Sequence, residues 1–176
     1  MSKVIVFGAS ATQTWESIYE EAVNLGRGLA ELGHEVWNGG YFGLMGAVSR
    51  GAHSVKGNVV GVTSQTFTFR SGPNPWLSNS IDASNTIDRL QIMLQNCEIA
   101  IALPGSIGTL NEIIMLMTLW KVSEIDSELM LWSEPYEALM NNLLAQGYLS
   151  HKLFNRIIFV KDWNAAISHP ILDSQI

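Results

Sequence analysis

Two glycine-rich stretches carry the chemistry that this chain states most openly. The first reads Asn38-Gly39-Gly40-Tyr41-Phe42-Gly43-Leu44-Met45-Gly46, and the second Leu103-Pro104-Gly105-Ser106-Ile107-Gly108-Thr109. Each stands after a short apolar run and ahead of a segment with helical period. At such a junction backbone N–H groups and the helix dipole converge, and the missing Cβ lets an anion come close. Gly39, Gly40, Gly43, Gly46, Gly105 and Gly108 are therefore candidates for holding a phosphate, together with Met45, Pro104, Ser106, Ile107 and Thr109 beside them. Gly8 and Ser10 follow the first apolar run and occupy the equivalent place. Neither stretch spells G-x-G-x-x-G or the Walker pattern, so a dinucleotide fold or an ATPase is not supported. One glycine stretch alone would serve as well for a bare tight turn. Its repetition at two equivalent places favours the anion site.

Two charged residues accompany the second stretch. Thr109-Leu110-Asn111-Glu112 has the spacing of a capping box, with Thr109 at the N-cap and Glu112 reaching back to it. A carboxylate placed there also stands at the mouth of an anion site, so structural and catalytic roles remain open for Glu112. Arg89, on the helical segment before the second stretch, reads locally as a solvated arginine. Metal chemistry has no foothold: Cys97 is the only cysteine, and His34, His53, His151 and His169 lie far apart. Cys97 itself reads as a small core residue.

The elements that must position these residues follow from periodicity. Apolar runs at 4–7, 35–37, 59–62, 98–103, 129–132 and 157–160 read as strands. Helical periods occupy 15–32, 43–55, 86–96, 109–122 and 136–146, followed by a short helical tail. Residues 64–80, with Pro73, Pro75, Phe67, Phe69 and Trp76, lack periodicity and read as a functional or mobile loop whose aromatics pack. The other tryptophans, Trp15, Trp37, Trp120, Trp132 and Trp163, read as packing. Strands alternating with helices predict a doubly wound, mostly parallel α/β sheet with helices on both faces, a Rossmann-like three-layer arrangement. Ligands in such sheets bind beyond the carboxyl ends of the strands, where both glycine stretches fall.

At 176 residues and 47% apolar, the chain suits one domain over residues 1–176. Its net charge of −6, with basic residues scattered, argues against a nucleic-acid partner. No signal-peptide pattern and no membrane-spanning run is present, so a cytoplasmic protein is expected. The segment 109–122 is apolar nearly all round. Leu110, Ile113, Ile114 and Met117 form one face, and Met115, Leu116, Leu119 and Trp120 another. One face must meet the sheet, which predicts that the other meets a second copy in a homodimer.

Taken together the segments resemble the LOG ("Lonely guy") phosphoribohydrolase family, once labelled lysine decarboxylases. The resemblance runs from Val4-Ile5-Val6-Phe7-Gly8-Ala9-Ser10 to about Val160. Its specific parts are Gly39-Gly40-x-x-Gly43-Leu44-Met45-Gly46 and the P-G-G-x-G-T-x-x-E motif, here Pro104 to Glu112. It implies a Rossmann-like homodimer that hydrolyses the N-glycosidic bond of a nucleoside 5′-monophosphate, AMP or a cytokinin riboside monophosphate. The products would be free base and ribose 5-phosphate. The family's catalytic arginine and glutamate fall on Arg89 and Glu112, the glycine turns would take the phosphate, and no cofactor is required. The sequence departs from the motif at Ser106, where the second glycine stands. It departs again in Thr86-Ile87-Asp88-Arg89-Leu90, where active members carry Met-x-x-Arg-Lys. Molybdenum cofactor carrier proteins share the fold. The alternative reading is therefore a non-catalytic carrier of a phosphorylated pterin, or a nucleotide-binding sensor. The decarboxylase label finds no support, since none of the five lysines lies in a glycine stretch.

Overall fold

A computed structural model describes residues 1–12, 16–66 and 72–173. Seven strands form one sheet: β1 Lys3–Phe7, β2 Glu35–Asn38, β3 Val59–Ser64, β4 Asn79–Ala83, β5 Ile99–Ala102, β6 Glu128–Trp132 and β7 Ile157–Val160. Their spatial order is β4-β3-β2-β1-β5-β6-β7, and every neighbouring pair is parallel. The central strands are buried along their lengths, as the unbroken apolar runs require when helices cover both faces. The helices are α1 Ser17–Glu31, α2 Leu44–Ser54, α3 Thr86–Gln95, α4 Ile107–Lys121, α5 Ser133–Ala145, α6 His151–Phe154, α7 Trp163–Ile167 and α8 Pro170–Asp173.

The strand order reverses between β1 and β5. From β1 the chain winds outward to β4, then crosses back to β5 and winds the other way. At this switch point the connections leave their strands in opposite directions and open a crevice. Gly8 to Ser10 end one side of it, and Pro104 to Gly108 end the other. The two ends are stitched by Ala9 N–H donating to Pro104 O at 3.2 Å, and Leu103 N–H donating to Phe7 O at 2.9 Å.

Three sequence-based expectations need correction. Residues 64–80 are not one loop, because Ser64 closes β3 and Asn79 opens β4. The strand β4 lies at the sheet edge with mostly exposed side chains, so it lacks the apolar run by which strands are read. Phe67 and Phe69, like Trp15, fall outside the described residues. Second, α4 begins at Ile107 with Ser106 as its N-cap. Thr109 and Glu112 therefore stand inside the helix, and no capping box forms. Third, the side of α4 that meets the sheet is Ile113, Leu116, Met117 and Trp120, drawn from both faces proposed from sequence. Their spacing of three, four and seven is one stripe of a 3.6-residue helix. Ile114 and Met115 are left partly exposed.

Trp37, Trp120 and Trp132 are buried, and Trp163 packs on the core as a partly buried residue, as does Cys97. Among the described residues no helix is long and apolar enough to cross a membrane.

Candidate functional site

A cleft of about 160 Å³ opens at the switch point. Gly8 and Ser10 line it from the end of β1, Tyr41 and Met45 from the first glycine stretch, and Thr86, Arg89 and Leu90 from α3. Ser106, Gly108, Thr109, Asn111 and Glu112 line it from the start of α4. Of the candidates read from sequence, Gly39, Gly40, Gly43, Gly46, Pro104, Gly105 and Ile107 are not part of this lining. They lie behind it or beside it. Two lining residues were not singled out beforehand. Tyr41 sat unremarked inside the first glycine stretch, and Asn111 was only a spacer in the second.

The wall formed by α4 follows from its start. Ser106 is the N-cap with an extended backbone, and its hydroxyl makes no capping bond. The first N–H groups of a fifteen-residue helix therefore lack a side-chain cap beside the cleft, at the positive end of its dipole. Gly105 fits because Thr109 packs beneath it: a Cβ there would stand 2.1 Å from Thr109 Oγ1. Glu112, one turn on, projects over the same opening as Gly108 and Thr109.

Arg89 is placed by a different device. Asn85 caps α3, its side chain accepting from Ile87 and Asp88 N–H at 2.8 and 3.0 Å, which turns Thr86, Arg89 and Leu90 inward. The Arg89 side chain crosses the end of β3 and donates from Nε to Val62 O at 2.7 Å. Its guanidinium lies 5.9 Å from the Tyr41 ring and flat against Gly39, where a Cβ would meet Nη2 at 1.8 Å. Gly39 thus makes room for an arginine rather than for a phosphate. Only 9% of Arg89 is exposed, so the reading as a solvated arginine does not hold. Ile87 takes the solvent-facing side of the turn instead.

Arg89 Nη1 and Glu112 Oε1 face each other at 3.8 Å, an ion pair longer than a hydrogen bond. Burial pushes the Glu112 carboxyl up to about 7, while the Arg89 charge pulls against that rise. Desolvation wins because the attraction acts over a long contact. At neutral pH the carboxyl is poised between its two protonation states.

The first glycine stretch is held by a buried polar network that sequence patterns did not announce. Asn38 accepts from Gly40 N–H at 2.8 Å and donates to Ser49 Oγ at 2.9 Å. Asn74 donates to Ser49 Oγ at 3.2 Å and to Tyr41 O at 3.0 Å, and its N–H donates to Gly40 O. Ser49 in turn donates to Met45 O. The Tyr41 hydroxyl donates to Ser64 O and accepts from Ser64 N–H. These bonds tie the segment after β3 to the turn after β2 and fix Tyr41 beside Arg89. Such a network is costly when incomplete, and here each member is matched. Trp76 packs close to Gly46.

A parallel sheet with an uncapped helix start and an arginine–glutamate pair in a cleft at its switch point defines a class: a doubly wound α/β protein with its candidate site at the carboxyl ends of the strands. Residues 1–127 match the SLOG cluster4 family, and the chain belongs to that family. This bears out the LOG resemblance read from the two motifs. A cytokinin riboside 5′-monophosphate phosphoribohydrolase of Mycobacterium tuberculosis is 29% identical over 164 residues, covering 90% of this chain and 88% of that protein. A probable enzyme of the same name from rice is 36% identical over 66% of this chain and 48% of its own length. Among solved structures, one titled TM1055 superposes with a TM-score of 0.80 at 26% identity, covering 99% of both chains. The molybdenum cofactor carrier protein of Chlamydomonas reinhardtii superposes with a TM-score of 0.72 at 19% identity, covering 95% of this chain and 94% of its own. That last likeness is one of fold.

Proposed function

We propose that this chain, as one domain over residues 1–176, hydrolyses the N-glycosidic bond of a nucleoside 5′-monophosphate. The observation that carries the reading is the apposition of Arg89 and Glu112 at 3.8 Å over the uncapped start of α4. The names of the similar mycobacterial and rice proteins support the same class of substrate.

In this reading the 5′-phosphate rests on the N–H groups at Ile107, Gly108 and Thr109, with the Ser106 hydroxyl as a further donor. The ribose then lies between that turn and Glu112. As the C1′–N bond breaks, its electron pair leaves with the base, which takes up a proton, and positive charge gathers on the sugar. The Glu112 carboxylate stabilises that charge and accepts a proton from the water whose oxygen bonds to C1′. Arg89, locked on Val62 and Gly39, holds the carboxylate in place and keeps part of its population ionised. The products are free base and ribose 5-phosphate. All the groups used belong to the chain.

The test is incubation of the purified protein with AMP and related nucleoside monophosphates, assayed for free base and ribose 5-phosphate, with Glu112→Gln as control. Release that disappears in the variant supports the hydrolase. Tight binding of intact ligand without release favours the second reading, a carrier or sensor. Leu90 and Ser106 give that reading its footing, since both depart from the motif of active members.

The same proposal includes a cytoplasmic homodimer. Ile114, Met115 and Val122 on and just after α4, and Ile87 on α3, are exposed apolar residues. Ile87 and Met115 line a groove with Leu90, Leu94, Leu119 and Ile125, alongside Gln91, Gln95 and Glu124. A largely apolar face of this kind is what a two-fold contact would bury.

A further inference from the structure

Tyr136 belongs to no motif and lies on α5, the helix that follows β6. Its ring is buried, with 3% exposure, and its hydroxyl donates to Leu103 O at 3.0 Å. The phenol thus holds the Leu103 carbonyl, the point at which β5 runs into the Pro104-Gly105 turn toward α4. The opposite flank of that turn is already fixed, because Pro104 O accepts from Ala9 N–H. We propose that Tyr136 is a positioning residue of the anion-binding turn, holding the Leu103 carbonyl so that the N–H groups at the start of α4 face the cleft. The role rests on the anion-binding reading of that turn and not on whether the bound molecule is hydrolysed.

The geometry explains why a phenol stands here. A phenylalanine would fill the same space yet leave the Leu103 carbonyl without the phenol's bond in a buried position. The turn would then relax toward other partners, and the N–H row would lose its aim. Burial, with the nearby Glu112 charge, pushes the phenol up to about 12. The hydroxyl therefore keeps its proton, and the donor to Leu103 persists across the working pH range.

The experiment compares wild type with Tyr136→Phe by calorimetric titration with ribose 5-phosphate and with adenosine, alongside thermal melts. Affinity for ribose 5-phosphate should fall about tenfold, the effect of one lost buried hydrogen bond, while adenosine binding stays unchanged. A purely structural role would lower the melting temperature and leave the folded protein's preference for the phosphorylated ligand intact. Equal ribose 5-phosphate affinity in both proteins overturns the proposal. So does failure of the wild type to bind it at all. Should the variant fail to fold, amide hydrogen exchange on the wild type decides. The Ala9 N–H, which donates to Pro104 O across that turn, must be protected, and exchange at the rate of an open turn overturns the clamp. Hydrolysis of AMP by a Tyr136→Phe protein that binds normally would sink the clamp and spare the hydrolase. A tenfold loss of binding in a protein that releases no base would do the reverse.

Discussion

Replacing Gly39 with alanine tests the placement of Arg89 without touching either charged residue. The new Cβ would stand 1.8 Å from Arg89 Nη2, and ordinary contact begins near 3.4 Å. The guanidinium must therefore retreat by about 1.6 Å. The Met45 sulfur, 2.6 Å from the same Cβ, ends a flexible chain and can swing aside. Arg89 has less latitude, since its Nε is bonded to Val62 O at 2.7 Å. That movement gives up the bond to Val62, worth about 1.5–3 kcal/mol for a charged donor. It also carries the guanidinium away from its station beside Glu112. Melting should drop by roughly 3–12 °C for a domain of this size. Catalytic efficiency should fall about 100-fold, as for a reacting group displaced by about 1 Å or more. A second signature is specific: with the Arg89 charge withdrawn, the Glu112 carboxyl titrates above 7, and the pH–rate profile moves with it. The assay is AMP hydrolysis across pH 5–9 for wild type, Gly39→Ala, Arg89→Ala and the double variant. If Gly39 acts only through Arg89, the double variant matches Arg89→Ala. A Gly39→Ala protein with wild-type efficiency and profile would refute the reasoning. Gly46→Ala supplies a stability control, since its Cβ would meet nothing closer than 3.4 Å.

The carboxyl of Glu112 also predicts a pH-dependent stability. Its folded value, about 7, lies above the ordinary 4.5, so the stabilisation is present in full below 4.5 and lost as pH rises through 7. By chemical denaturation, wild type should lose about 2.5 kcal/mol more stability than Glu112→Gln between pH 5 and pH 8. The efficiency of AMP hydrolysis should rise through pH 7 as the carboxylate forms, and a falling profile would contradict its role. His34 works in the opposite sense. Buried between the chain ends, it accepts from Ser2 N–H at Nδ1 and meets Leu172 O at Nε2, and burial pushes it below 6.5. Its contribution is present above 6.5 and lost as pH falls through the lowered value, because the unfolded chain takes the proton first. In the Glu112→Gln background, protection of the α8 amides should therefore weaken between pH 7.5 and 5, and unchanged protection would contradict the assignment. Met115→Glu should convert a dimer to a monomer at micromolar concentration by sedimentation. A wild type that is already monomeric would remove the dimer.

The central strands were legible because burial on both faces leaves unbroken apolar runs such as Val4 to Phe7 and Ile99 to Leu103. The edge strand β4 was not, for it has no apolar face to display. The helix starts were misplaced by a few residues where capping chemistry was ambiguous: Thr109 mimicked an N-cap that Ser106 supplies. At the site, Arg89 and Glu112 were singled out as a pair through motif resemblance; local reading left Arg89 an ordinary solvated arginine and left structural and catalytic roles open for Glu112. Tyr136, Asn74 and Ser49 escaped notice because single polar residues at scattered positions leave no pattern. Only the fold brings Asn74 to Ser49, or Tyr136 to Leu103.

The departures from the family motif acquire a physical meaning once placed. Leu90 lines both the cleft and the apolar groove between α3 and α4. A lysine at this position would put a second cation near Glu112 and hold its carboxyl lower. With leucine there, Arg89 is the one cationic side chain among the described residues lining the cleft, and it stands 3.8 Å away. Burial then dominates, which is why the carboxyl rises to about 7. The same leucine carries the apolar face up to the edge of the site. A second copy docked on that face would exclude more water from the cleft and favour the neutral carboxyl further. In the proposed homodimer, the substitution that weakens the site's positive charge would thus also couple the acidity of Glu112 to assembly.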